Sequence, residues 1–250
     1  MINRVPCFLL LAAVALPAMG EPGSGSAPSL QSDQCGITTR YDVLVDSGGV
    51  WLRHGPQAPH EVVFHDGELS LDGKMVEVNE ADAARLRQLE ASARRLMPEA
   101  AGLARDVVDL TFDAVDGVVE VMTGSKNTRK VRKVRREAQA WVDDSLGRGY
   151  WEQSTFGEGF EARVEEMAEA LAASLTRSVL WQVFTGRAGA MERRADSLET
   201  ELEQRMEARG QQLEAKANAL CPQVQALADV HDALQVQFNG QPLRLLERGE

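Results

Sequence analysis

Residues 61–89 read EVVFHDGELSLDGKMVEVNEADAARLRQL, and the hydrophobic period changes inside this stretch. Up to Val78 the apolar residues fall in short runs cut by Asp66-Gly67 and Asp72-Gly73. Asp-Gly between two such runs marks a tight hairpin, because both turn positions need a positive φ that these residue types tolerate. From Asn79 onward the spacing turns to three and four, with Leu86, Leu89, Ala93 and Leu96 on one stripe. Asn79 suits a helix N-cap, and Glu80 and Asp82 suit the positive end of the helix dipole. A meander that hands over to helices predicts an α+β fold: a small antiparallel sheet packed on a larger, mostly helical body with a long C-terminal helix.

Working back towards the N-terminus, 37–45 reads as a strand with Tyr41, Val43 and Val45 on one face. Asp46-Ser47-Gly48-Gly49 is a turn, Val50-Trp51-Leu52 a strand, and 54–59 a loop with two prolines. The strands 61–65, 68–71 and 74–78 close the set. Only one face of this sheet is covered by its own residues, so the other must pack on helices. Residues 21–34 are rich in Gly, Ser and Pro and predict a flexible leader. Residues 1–20 read as a secretory signal peptide: Arg4, the apolar run 8–16, Pro17, then Ala18-Met19-Gly20. Cleavage is expected after Gly20, and no Cys follows it to carry a lipid anchor. The apolar run is shorter than the ~18 residues that a spanning helix needs. Cleavage removes Arg4 and no acid, taking the net charge from −11 to −12. It also removes Cys7 and leaves Cys35 and Cys221, two thiols that in an exported chain suggest one disulfide, against the alternative of two buried thiols.

Towards the C-terminus, Pro98 is expected to interrupt the first helix and Glu99 to restart it. The segment 103–122, LARDVVDLTFDAVDGVVEVM, carries two apolar stripes and a ridge of Asp106, Asp109, Asp113, Asp116 and Glu120, so it predicts a mostly buried helix. Gly124 ends it. Helices are expected over about 126–143 and 158–184, with a loop at 147–160. Over 189–220 the apolar stripe narrows to a coiled-coil-like seam that includes Met191, Leu198, Leu202, Met206 and Leu213, weakened at Gly210. Pro222 is expected to open a final helix. Asn239-Gly240 is a turn, and 242–246 suits a short edge strand. The division is then signal peptide 1–20, leader 21–34, sheet region 35–78, helical body 79–237 and tail 238–250.

Four features in this order resemble the YggN-like family of exported bacterial proteins of unknown function. They are Cys35 shortly before Tyr41-Asp42-Val43; the paired Asp-Gly turns before Asn79; Arg94-Arg95-Leu96-Met97-Pro98 before the apolar helix; and Cys221 followed by Val224, Leu227 and Ala233-Leu234. The resemblance spans about 35–235 and implies a periplasmic location and a Cys35–Cys221 pairing. It brings no catalytic residues. The chain departs from the family in its long leader and beyond Gln237.

Two surface candidates stand out. Lys126, Arg129, Lys130, Arg132, Lys133, Arg135 and Arg136 crowd one short run of an acidic chain. An external anionic surface, the acidic ridge of the same chain, or solvent would each relieve their repulsion, and pairing with the ridge is the favoured expectation. The glycine-rich loop with Tyr150, Trp151, Phe156 and Phe160 suits a ligand or interface, or else folds its aromatics onto the core. His54, His60 and His65 match no zinc spacing, and the ridge on a straight helix cannot wrap a calcium ion. No nucleophile elbow, zincin, P-loop or dinucleotide motif occurs, so neither catalytic residues nor a cofactor nor a metal site is assigned. The expected role is a periplasmic, non-catalytic interaction or scaffolding protein that contacts an envelope protein or an anionic membrane surface, not nucleic acid. The alternative is a binding module for an amphipathic ligand such as a lipid, held between sheet and helices.

Overall fold

A computed structural model describes residues 35–55, 59–123, 129–153 and 188–249. The meander is present as β2 (Asp42–Asp46), β3 (Gly49–Arg53), β4 (Glu61–His65), β5 (Glu68–Leu71) and β6 (Lys74–Val76). Both Asp-Gly pairs form two-residue turns with positive φ at each position, 48° and 89° for Asp66 and Gly67, 49° and 75° for Asp72 and Gly73. Period-two alternation puts Val50, Leu52, Val62, Phe64, Leu69 and Leu71 on one buried face. Cross-strand pairs such as Val50↔Phe64 and Val62↔Leu71 align that face into rows.

Among the described residues a sixth strand, β7 (Tyr150–Trp151), joins this sheet, giving the order β6-β5-β4-β3-β2-β7, and it was not expected. Residues read as loop instead form a 3-10 turn, Leu146–Arg148, followed by β7, Tyr150–Trp151, which pairs with β2. Gly149 makes this docking possible. Its φ is +82°, Val45 N–H donates to its carbonyl at 2.9 Å, and an added Cβ would lie 2.1 Å from the Val45 oxygen.

The helix α1 runs over Glu80–Thr123, 44 residues and about 66 Å. Asn79 caps it: its Oδ1 accepts from Asp82 N–H at 2.8 Å. The expected break at Pro98 does not occur, since the helix continues through it. The missing donor costs a few kcal/mol, about 3 in a helix interior, but packing holds both flanks. Leu86 and Leu89 lie in the sheet core, Ala101, Ala104, Val107, Val108 and Phe112 lie in the helical core, and Met97 touches both. The same correction applies at Pro222, which opens no new helix but lies inside a single helix α3, Ala188–Asp232. Cys221, beside that proline, is anchored by its bond to Cys35, with Cα atoms 5.0 Å apart. Between α1 and α3 lies α2, Arg129–Asp144, which buries Val131, Ala138 and Val142. The expected helix at 158–184 lies outside the described residues.

After α3 the chain returns to the sheet. The strands β8 (Gln237–Phe238) and β9 (Gln241–Pro242) form a small hairpin around Asn239-Gly240. The expected strand at 242–246 is displaced: pairing resumes at β10, Glu247–Arg248, against β1, Ile37–Thr38. Pro242 has no donor to continue a ladder, and Leu243 and Leu245 turn into the core beneath the sheet with Val236.

Candidate interaction surface

The acidic ridge of α1 is the organising feature of the helical body. Its carboxylates and Glu99 before them meet α3 in steps of seven: Arg209 pairs with Asp113, Lys216 with Asp106 at 2.6 Å, and Gln223 donates to Glu99 at 2.9 Å. The ridge meets α2 in steps of four, where Arg135 pairs with Asp113 at 2.7 Å and Gln139 donates to Asp109 at 2.8 Å, and one step further the charges reverse, with Arg105 of α1 pairing with Asp143 of α2 at 2.6 Å. Both registers run antiparallel. Steps of seven bring one flank of a helix back to the same partner, as in knobs-into-holes pairs, and steps of four follow an i,i+4 ridge. Arg135 also reaches Asp116 at 3.2 Å and lies over the Phe112 ring, its carbon 5.9 Å from the centroid. Burial pushes the Asp116 carboxyl up, against the pull of Arg135 and Arg132.

This geometry divides the basic run. Arg135 faces inward to the ridge, with a side chain 24% exposed. Arg129, Lys130, Arg132, Lys133 and Arg136 lie on the exposed side of α2, opposite Val131, Ala138 and Val142. Lys133 also reaches Glu137 at 3.6 Å. Lys126 lies outside the described residues. The chain 35–153 and its α3 partner thus share one frame, from the Cys35 disulfide through the ridge to β10.

The family described as "Protein of unknown function (DUF2884)" matches residues 35–246. The chain belongs to this family. No curated protein and no solved structure matches it. The DUF2884 match begins at Cys35, so Cys35, Cys221 and the ridge lie within it and residues 1–34, with Cys7, precede it.

The remaining candidates in this DUF2884 chain go to separate places. Tyr150 is half-exposed at the sheet edge, and Trp151 packs on the helical core with its Nε1 donating to Gln153 at 3.0 Å. Phe156 and Phe160 lie outside the described residues. His54 Nδ1 donates to Arg40 O at 2.7 Å, His60 Nδ1 to Gly55 O at 2.9 Å, and His65 Nδ1 to Glu90 at 3.0 Å. Among the described residues no group of three His, Cys, Asp or Glu gathers in a metal-holding arrangement. The space between sheet and α1 holds Val50, Leu52, Val62, Phe64, Leu69, Leu86 and Leu89 packed together.

Three buried titratable groups each make a joint that the sequence did not announce, although Asp82 was read as a first-turn acid. Asp82 accepts from Arg85 at 2.8 Å and from Gln235 N–H at 3.2 Å, tying the start of α1 to the chain leaving α3. Glu90 accepts from Arg94 at 2.6 Å and from Asp66 N–H at 2.9 Å, fixing a hairpin turn on α1. Burial alone would raise the Glu90 carboxyl, but its bonds from Arg94, the Asp66 N–H and His65 hold it below the ordinary value. His231 Nε2 accepts from Leu245 N–H at 2.9 Å, and its Nδ1 faces Asp232 at 3.1 Å. Their signals are single polar letters on helical faces, which periodicity alone does not separate from solvated positions.

Proposed function

We propose that this is an exported, YggN-like protein that resides in the periplasm and serves as a non-catalytic interaction or scaffolding protein of the cell envelope. The observation that carries the reading is the Cys35–Cys221 bond. A structural disulfide persists in an oxidising compartment and is rare in a reducing one. The pattern of Arg4, the apolar run 8–16 and Ala18-Met19-Gly20 supplies the route. Residues 21–34 then act as a leader, and the sheet region 35–78, helical body 79–237 and tail 238–250 form the working part. Two further observations support an interaction role. The buried groups Asp82, Glu90 and His231 are spent on joints between elements. The helical pair α1–α3 presents long, heavily charged flanks. No helix among the described residues is long and apolar enough to cross a membrane.

Fractionation with thiol trapping tests this. The periplasmic fraction should contain a chain starting at Glu21 whose two cysteines resist alkylation until reduced. A cytoplasmic chain that retains residues 1–20, with Cys7, Cys35 and Cys221 all alkylated directly, would overturn it.

A further inference from the structure

We infer that the segment 235–248 is an acid-released strap: uptake of a proton by His231 unseats it from beneath the sheet while the sheet and helices stay folded. Backbone N–H groups tie the segment to the body at separate points. Gln235 N–H donates to Asp82 at 3.2 Å, Leu245 N–H to His231 Nε2 at 2.9 Å, and Gly249 N–H, just past the segment, to the Gly36 carbonyl at 2.8 Å. Arg248 pairs with Asp229 and Asp232, and Glu247 with Arg40. Most of these contacts end on a carboxylate or an imidazole, whose bonding a proton changes. The bond from Thr39 Oγ1 to the Leu245 carbonyl and the pairing of β1 with β10 do not titrate.

An imidazole takes its proton at higher pH than an ordinary carboxylate, so the joint at His231 is the one that mild acid reaches. Its ring is 4% exposed, and Nε2 supplies the lone pair that Leu245 N–H needs. Once protonated, Nε2 would point one donor at another inside the core. From α3, Asp232 faces Nδ1 at 3.1 Å and eases the charge, as the Leu243 carbonyl does from the segment, whereas Arg244 of the segment opposes it. Asp232 is shared with Arg248. At the same joint α1 brings Asp82 to Gln235, and Arg40 beyond β1 reaches Glu247. Burial outweighs the favourable contacts and holds the ring below its ordinary value of 6.5. When the segment leaves, the ring meets water and recovers that ordinary value. Acid therefore favours the released state.

The body has its own fastenings. The six-stranded sheet contains none of the segment's strands, since β8 pairs with β9 and β10 with β1 in separate two-stranded sheets. Leu86 and Leu89 of α1 lie in the sheet core, Glu90 holds the Asp66 turn, and the Cys35–Cys221 bond keeps the approach to β1 on α3. A short segment fastened outside the main ladder opens at lower free energy than core strands do. Its release uncovers the apolar surface beneath Val236, Leu243 and Leu245, hidden at neutral pH and accessible in acid.

Hydrogen exchange of the oxidised protein beginning at Glu21 tests this, read by NMR and corrected for the intrinsic pH dependence of exchange. From about pH 7.5 to about pH 5, protection of the Gln235, Leu245 and Gly249 N–H groups should fall together by between about fivefold and about thirtyfold, the upper figure being full linkage to one proton. Protection in β3, β4, β5 and α1 should change less than about twofold. In His231→Gln, whose amide oxygen accepts from Leu245 without titrating, the fall should vanish. The inference is overturned if the three groups stay flat, if Leu245 alone changes, if β3, β4 and β5 lose protection to the same extent, or if the variant keeps the fall. If the variant does not fold, the wild type decides: the His231 ring signal must titrate over the range in which protection is lost, and a ring that stays neutral through that loss overturns the inference.

Discussion

His231 shows how one buried group governs a whole segment. Its imidazole is 4% exposed, and Nε2 must stay unprotonated to accept the Leu245 N–H. Burial pushes the ring below its ordinary value of 6.5, against the pull of Asp232 and with a small push from Arg244. The depressed value fixes the sign. Folding stability is full above about pH 6.5 and is lost as pH falls through the depressed native value, because the unfolded chain takes the proton first. Glu90 and Asp232 are held low by Arg94 and Arg248, so their contributions persist until more acidic pH. Urea unfolding between about pH 7 and pH 5 should show the first loss, and His231→Gln should flatten it, since an amide oxygen still accepts from Leu245 and does not titrate. A wild-type profile flat over that range would contradict this. At this scale legibility follows local rules. Asp66-Gly67 and Asn79 declare themselves because turn and cap chemistry is written in adjacent letters. His231 does not, because its partner lies 14 positions away on a segment whose docking has no local signature.

Elements were legible where period and punctuation agree. The five strands of the meander and the change to helix at Asn79 meet that condition. Pro98 and Pro222 mislead because a backbone penalty is local while the packing that outweighs it is not. The strand β7 was missed because two residues carry no period. Glycine positions separate these influences experimentally. Gly210 lies within α3 with open space where a Cβ would stand, so Gly210→Ala should raise stability by about 0.5–1 kcal/mol through lost chain entropy. Gly149→Ala meets the Val45 carbonyl in a left-handed conformation and should cost more than about 2 kcal/mol. Thermal midpoints of the two variants should move in opposite directions. Equal shifts would mean that β7 is not seated on β2 by this contact.

At the scale of the molecule, the described residues of the helical body form three helices with α1 as the shared wall, and the sheet is closed from below by Val236, Leu243 and Leu245. The α+β class was legible because the two periods occupy separate stretches of chain. The closure by residues 236–249 was not, because its contacts are set by partners across the whole length, such as Thr39 Oγ1 donating to Leu245 O over 206 positions. Arg248 fastens the closure to α3 through Asp229 at 2.6 Å and Asp232 at 2.8 Å. The Cys35–Cys221 bond spans 186 positions, for which chain entropy gives at most about 5 kcal/mol and practice about 2–4. Cys35→Ser should therefore lower the thermal midpoint of the oxidised protein to that of the reduced wild type, and added reductant should leave the variant unchanged. Equal midpoints for variant and wild type under oxidising conditions would refute that role.

The pairing of β1 with β10 also sets an order of events during biosynthesis. A ribosome releases residues 37–38 long before 247–248. Cys35 emerges without its native sulfur partner, and β1 without its ladder, until nearly everything between them has followed. Pairings this distant close slowly, since loop entropy is lost before any contact compensates. The thiol at Cys35 thus waits through most of the synthesis, and its native bond cannot form before Cys221 has emerged.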